Sequence, residues 1–190
     1  MNIRTATVND AVTLLNIYKP SVVKTAISFE YDVPTLEEFE SRIRNTLKMY
    51  PYIVAEDNGE IVGYAYASIF HGREAYRHCV ELSLYVKENK RGLGIGSRLY
   101  NEIELILRKQ NVFVLYACIA STDRVDDEYV TDASIMFHEK AGFKLDGRHV
   151  KCGYKHGRWY DVVWMSKRLE EAVDNPPEFV PFSKISSSGR

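Results

Sequence analysis

The 190-residue chain sets 25 Lys and Arg against 26 Asp and Glu, a formal net charge of −1, and is 45% hydrophobic. That content suits one globular domain with a sizeable core and excludes a disordered tail, while the charge balance gives no global positive field for nucleic acid or an anionic membrane surface. The N-terminal MNIRTATVND lacks the apolar segment of a signal peptide and no apolar run nears the roughly 18 residues that span a bilayer, so a cytoplasmic protein is expected.

Ile3 to Ala6 reads as a short first strand, and Asn9 or Asp10 caps a helix with Ala11, Leu14, Leu15 and Tyr18 on its inner side, which Pro20 interrupts. The segment SVVKTAISFEYDVPT follows neither period and reads as a loop carrying Phe29, Glu30 and Tyr31. Thr35 and Glu38 form a capping box, and Leu36, Phe39, Ile43 and Leu47 predict a second helix to about Met49. Tyr52 to Glu56 and Ile61 to Phe70 are strand-like and flank Asp57, Asn58 and Gly59, a hairpin signal. The polar segment HGREAYRH leads from there to Cys79.

Cys79 to Arg108 organises the chain: a strand, a basic glycine-rich loop and an amphipathic helix in succession. Val80, Leu82, Leu84 and Val86 alternate with Glu81, Ser83 and Tyr85, so a pleated strand sends the acid, the serine and the phenol to one face. Lys87, Lys90 and Arg91 precede Gly92, Gly94 and Gly96. Glycines remove the Cβ atoms that keep a ligand from the backbone, and a helix starting here adds unpaired N–H groups at the positive end of its dipole. A phosphorylated cofactor is therefore expected here, with Glu81 beside its reacting group. In the helix, Ile95, Leu99, Ile103 and Ile106 form the apolar stripe, with Arg98, Asn101, Glu102 and Glu104 facing water.

Val112 to Ala120 is apolar at almost every position, as in a strand buried on both faces, and strand, helix, strand implies a right-handed parallel crossover. The acidic stretch Ser121 to Val130 reads as a solvated loop, with a lid as the sharper alternative. A short helix runs from Thr131 or Asp132 to Lys140 and ends at Gly142. Two strands, Lys144 to Tyr154 and Arg158 to Lys167, flank a turn at Lys155, His156 and Gly157. From Val173 the chain is expected to be irregular, with SSSGR disordered. Cys79, Cys118 and Cys152 are odd in number and scattered, which suits reduced buried thiols better than disulfides or metal ligands. There is no internal repeat and no second domain: residues 1–170 are expected to form one domain and 171–190 a tail.

Three phosphate-binding patterns compete for the glycine loop. A P-loop requires Lys then Ser or Thr after the last glycine, and Gly96 is followed by Ser97 and Arg98. A dinucleotide fold places its glycines directly at the strand end, but Lys87 to Arg91 intervene here. The third pattern, Arg or Gln, two residues, Gly, one residue, Gly or Ala, is met by Arg91, Gly94 and Gly96.

The strand, that loop and the helix resemble the acetyl-CoA-binding core of the GNAT N-acetyltransferase superfamily. TAISFE, MYPYIVAE (Met49 to Glu56), REAY (Arg73 to Tyr76), VELSLYV, HEKAGF (His138 to Phe143) and GYKHGRWYDVVWM (Gly153 to Met165) extend the likeness to about Leu169 and resemble the phosphinothricin N-acetyltransferase branch. The resemblance implies an α/β fold: a mixed, mostly antiparallel sheet, splayed at the central strand ending at Val86, with helices on both faces. It also implies acetyl transfer from acetyl-CoA to the primary amine of a small amino-acid-like compound of the phosphinothricin, methionine sulfoximine or methionine sulfone type. The alternatives are a protein N-terminus, lysine or polyamine as acceptor, or a non-catalytic acyl-CoA sensor.

The same resemblance implies site residues. The cofactor's pyrophosphate would lie on Arg91, Gly92, Leu93, Gly94, Ile95, Gly96 and Ser97, and its pantetheine along Leu84, Tyr85 and Val86 with Thr131 and Ser134 nearby. Glu81 would be the general base, although spacing alone leaves open a strand carboxylate paired with Arg73 or another cation. His138 stands where many members carry a proton-donating tyrosine, and would donate that proton or position the amine, against the alternative of one structural hydrogen bond. Acceptor contacts would come from Phe29, Glu30, Arg73, Tyr76 and Tyr154 or Lys155, with Arg73 clamping a carboxylate. Thr131 stands where the branch has Asn, and the acidic loop before it is longer. No metal is implied, and a homodimer is common in the branch.

Overall fold

The computed structural model describes residues 1–186. Its strands form one sheet in the order β1-β2-β3-β4-β5-β7-β6, built from β1 (Asn2–Thr5), β2 (Tyr52–Asp57), β3 (Glu60–Ile69), β4 (Cys79–Val86), β5 (Val114–Ser121), β6 (Lys144–Lys155) and β7 (Arg158–Arg168). Among the described residues the β4–β5 pair is parallel and the other neighbours are antiparallel. The β2–β3 hairpin turns at Asn58 and Gly59, whose φ angles of 51° and 80° are what a tight two-residue hairpin demands.

Five helices complete the described chain: α1 (Ala11–Val23), α2 (Leu36–Met49), α3 (Ile95–Lys109), α4 (Ala133–Lys140) and the short α5 (Phe182–Ser186). The back face of the sheet carries Ile53, Ala65, Ala67, Val80 and Leu82, which pack with Leu99, Ile103 and Leu107 of α3. On the front face Leu14, Ile17 and Tyr18 of α1 and Phe39 and Ile43 of α2 pack on Tyr52, Val54 and Tyr64. None of these helices is long and apolar enough to cross a membrane.

Several expectations need correction. Pro20 lies inside α1: it falls in the last turn, where burial of Tyr18, Ser21 and Val22 holds the helix together and the Lys24 N–H still donates to the Pro20 carbonyl at 2.9 Å. Asp10 is the N-cap of α1 as expected, but its carboxylate turns back to cap the preceding 3-10 turn Val8–Asp10, accepting from the Thr7 N–H at 2.7 Å. On α3, Tyr100 and Leu107 are buried and Ile106 only partly, while Glu104 pairs with Lys167 at 2.7 Å instead of facing water.

β5 buries one face rather than two. Leu115, Ala117 and Ile119 are in the back core, but α1 and α2 do not extend over β5 in front, leaving Tyr116 half-buried and Cys118 exposed. Cys152, on edge strand β6, is exposed and Cys79 half-buried, so the cysteines are not the buried thiols expected. The C-terminal segment is not irregular throughout. The Val180 N–H donates to the Gln110 carbonyl at 3.0 Å, Phe182 is buried, and Phe179 packs against Tyr50 at 5.6 Å. Of the SSSGR segment expected to be disordered, Ser186 ends α5 and 187–190 lie outside the described residues.

Candidate active site

The site grows from a break in the sheet. β4 pairs with β3 as far as Val86, but its pairing with β5 ends after three rungs, Cys79 with Val114, Val80 with Leu115 and Glu81 with Tyr116. Beyond Glu81 the main chain of Leu84, Tyr85 and Val86 faces a gap on the β5 side. Unpaired strand edges of this kind bind extended, amide-bearing ligands by main-chain hydrogen bonds.

At the end of β4 the chain passes a short 3-10 turn at Glu88–Lys90 and enters α3 through Gly94, which has φ of 76°. Such an angle costs a side chain with a Cβ about 1–2 kcal/mol, and nothing lies within 4 Å of where that Cβ would stand. The loop is therefore open on its outer side. Gly96 is held for the opposite reason: a Cβ there would sit 3.0 Å from Leu84 and 3.1 Å from Phe137, so the glycine lets α3 lie close against β4 and α4. The N–H groups of Ile95, Gly96 and Ser97 open the helix without an intrahelical acceptor. Arg91, Gly92, Leu93, Gly94 and Ser97 are exposed and Ile95 turns its side chain into the core. Exposed N–H groups at a helix start, flanked by Lys90 and Arg91 and continuous with the gap, suit a diphosphate followed by an extended amide chain. Thr131, exposed, and Ser134, half-buried, stand at the start of α4.

Glu81 projects from the front face with Ser83 and Tyr85, as the alternation predicts. Among the described residues no cation or hydrogen-bond donor meets its carboxylate, so the pairing with Arg73 does not form, and burial raises its pKa above the ordinary carboxylate value. Arg73 is exposed in the loop before β4 and its guanidinium has no partner among the described residues. Tyr76 stands edge-on to Phe70 at 5.9 Å, and Phe70 stacks on Tyr116 at 4.0 Å, so these aromatics flank Glu81 on the β5 side.

His138 lies in α4, its ring among Tyr100, Phe137 and Phe143. It is buried, with Nδ1 2.7 Å from the Ser134 carbonyl and Nε2 2.9 Å from the Tyr100 hydroxyl. A carbonyl can only accept, so Nδ1 carries the proton and Nε2 accepts from Tyr100, and burial lowers the pKa of the ring. The geometry is that of a neutral histidine tying α4 to α3.

The loop between α1 and α2 is locked to the far end of the sheet. Phe29 lies on Gly153, where no Cβ fits, and the Tyr31 hydroxyl donates to the Tyr154 carbonyl. Lys155 is buried and spends its ammonium on the carbonyls of Val22, at 2.7 Å, and Ser28, at 2.6 Å, which removes it from the acceptor contacts. Glu30 accepts from Arg42 at 2.7 Å and from the Tyr18 hydroxyl at 3.0 Å. The Tyr154 ring packs against Trp159 at 5.1 Å.

Sequence reasoning passes over Arg42, Tyr18, Tyr66 and Ser68. They line a cavity of about 620 Å3 between α2 and the front face, and Ser68 stands opposite Glu81 in the β3–β4 register. Tyr64, Tyr66 and Ser68 alternate along β3 in line with Tyr85, Ser83 and Glu81 on β4, a signal readable once the hairpin partner is aligned.

The acidic loop divides in two. Val125 is 96% exposed at its tip, whereas Asp127 is buried, accepts from the N–H groups of Tyr129 at 2.9 Å and Val130 at 3.0 Å, and pairs with Arg158 at 3.0 Å. The Ala26 N–H donates to the Tyr129 carbonyl, so residues 127–130 brace the loop between α1 and α2 rather than float in solvent.

The sequence pattern of the family described as "Acetyltransferase (GNAT) domain" matches residues 3–164. The chain is 30% identical to the phosphinothricin N-acetyltransferase of Streptomyces viridochromogenes, covering 97% of this chain and 96% of that protein. It is 34% identical to the L-methionine sulfoximine/L-methionine sulfone acetyltransferase of Pseudomonas paraeruginosa, over 92% of this chain and 98% of that one. The crystal structure of a GNAT superfamily phosphinothricin acetyltransferase from Sinorhizobium meliloti in complex with AcCoA superposes with a TM-score of 0.85 at 33% identity, covering 96% of each chain.

Proposed function

The chain belongs to the GNAT acetyltransferase family, and from that premise we propose that its acceptor is the primary amine of a small amino-acid-like compound of the phosphinothricin, methionine sulfoximine or methionine sulfone type. The protein is an acetyl-CoA-dependent N-acetyltransferase, and acetyl-CoA supplies the acetyl group as a thioester. In this reading the N–H groups of Arg91 to Ser97 take the pyrophosphate, and Leu84, Tyr85 and Val86, with Thr131 and Ser134, take the pantetheine.

An ammonium has no lone pair, so the acceptor must lose a proton before it attacks. Glu81 is the group assigned to remove it, directly or through water, and the observation that carries the assignment is its unpartnered, half-buried carboxylate at the last β4–β5 rung. Arg73, exposed and without a partner among the described residues, is assigned the acceptor's carboxylate, with Tyr76 beside it and Phe29 shaping the far wall. His138 holds α4, and with it Ser134, in position.

The reading extends to one acetyltransferase domain over residues 1–170, with 171–190 as an appended segment, and to a cytoplasmic homodimer. A thiol-release assay with acetyl-CoA tests the acceptor class: phosphinothricin, methionine sulfoximine and methionine sulfone should be turned over in preference to polyamines and N-terminal peptides. The reverse order would overturn the assignment.

A further inference from the structure

The cavity under α2 lies beside the acid assigned to the acceptor amine. Ser68 and Tyr66 are across from Glu81 and Ser83 in the β3–β4 register, and both line the cavity. Its walls continue with Tyr85, Tyr52 and Tyr18 to Arg42. A compound whose amine meets Glu81 on the front face can extend in this direction along the sheet, beneath α2.

Charge decides what the far end accepts. The cavity's cation, Arg42, already holds the Glu30 carboxylate at 2.7 Å, and Glu30 is held a second time by the Tyr18 hydroxyl. Glu38, at the rim, is engaged by the Thr35 N–H at 2.8 Å. Among the described residues the other lining groups are uncharged, so the positive charge is matched before any ligand arrives and a carboxylate remains in excess. Guanidinium has five N–H donors, and beyond Glu30 no acceptor among the described residues engages those of Arg42. The buried phenols of Tyr52, Tyr64 and Tyr85 stay protonated, because burial raises their pKa well above its ordinary value.

Resting on the acceptor reading above, we infer that this cavity receives the acceptor's side chain and selects an uncharged, oxygen-bearing one, such as a sulfone, sulfoximine or carboxamide, over an anionic one. A neutral sulfonyl or amide oxygen accepts from the spare Arg42 N–H groups and the phenols without adding charge. A sulfonate or carboxylate there meets Glu30 and Glu38 with no unmatched cation to offset them, so within the acceptor class above the phosphinate of phosphinothricin ranks below the sulfone and the sulfoximine. The cavity thus separates two acceptor types that share the same reacting amine.

Methionine sulfone and homocysteate form a nearly isosteric test pair, one side chain ending in a methyl sulfone and the other in a sulfonate. The wild-type enzyme should show kcat/KM for the sulfone at least about tenfold above that for homocysteate. In Glu30→Gln, Arg42 loses its intramolecular counter-charge and the ratio should fall by about threefold or more, mainly through KM. Equal or better turnover of homocysteate by the wild type, or an unchanged ratio in Glu30→Gln, would overturn the inference. Should that variant fold poorly, Arg42→Gln serves: KM for methionine sulfone should rise without a change in the acetyl-CoA Kd, and an unchanged KM overturns the inference. If no amino acid is acetylated at all, the acceptor reading itself falls and takes this inference with it, whereas acetylation in the inverse order removes only the inference.

Discussion

Glu81 and Tyr116 face each other on the last rung shared by β4 and β5, and immediately beyond them the strands part. The acid is thus fixed by a paired backbone on both sides at the edge of a gap. Tyr116, stacked under Phe70, walls it on the β5 side, and Ser68 stands on the β3 side.

That placement makes Glu81→Gln the sharpest test of the chemistry. A positioned general base contributes about 10²–10⁴-fold, so kcat should fall by that order while the acetyl-CoA Kd, measured by calorimetry, stays close to wild type. Burial raises the Glu81 pKa, so the wild-type acid limb of kcat/KM should lie above the ordinary glutamate range and should vanish in the variant. A variant with full turnover would remove Glu81 from the mechanism.

The two glycines at the start of α3 should fail differently. Gly94→Val places a β-branched residue at φ of 76° in an open loop, which should disturb the N–H groups of the helix start and raise the acetyl-CoA Kd by roughly tenfold. Gly96→Val drives a side chain against Leu84 and Phe137 and should lower stability by about 1–3 kcal/mol in thermal melts. Unchanged affinity in Gly94→Val would argue against the loop as the pyrophosphate cradle.

His138 should show itself in stability rather than in the pH limbs of turnover. Its folded pKa is lowered by burial, so the unfolded chain binds more protons in the window below about 6.5, the ordinary histidine value. The stability it provides is therefore full above that pH and is lost as pH falls through the folded pKa. His138→Gln should flatten this part of the stability curve, followed by urea unfolding, and leave the kcat/KM limbs in place. A displaced limb would restore proton transfer to this residue.

Asp127→Ala should leave the N–H groups of Tyr129 and Val130 without their acceptor and Arg158 with Glu128 alone. Leaving the buried Val130 N–H without an acceptor costs about 1–3 kcal/mol, and Tm should fall by about 2–10 °C in a chain of this size. Limited proteolysis should then cut within 122–130 faster than in the wild type. An unaltered melt would mean that the loop is braced by something other than Asp127.

Local chemistry was legible in the sequence and distant contact was not. Thr35 with Glu38 and Asn58 with Gly59 each settle their geometry within four residues, and each turns out as read. The alternation of Glu81 with Leu82 was equally readable, because a strand with one apolar face allows one orientation. Lys155 looked like a turn residue, since the carbonyls that bury it belong to residues 22 and 28. Cys118 looked buried because nothing in its own strand reports that α1 and α2 stop short of it. Arg42 was hidden for a similar reason: on its helix it resembles any solvent-facing arginine, and Glu30 and the cavity come to it from other segments.

The ammonium of Lys155 ties the end of α1 to the loop that follows it by two main-chain oxygens, and a main-chain oxygen is present whatever residue occupies the position. The anchor is therefore indifferent to the side chains at 22 and 28, and the exposed loop positions Lys24, Ile27 and Asp32 can be exchanged with it in place. The loop can therefore be varied at those outward positions by substitution alone, one at a time, with β4 left untouched.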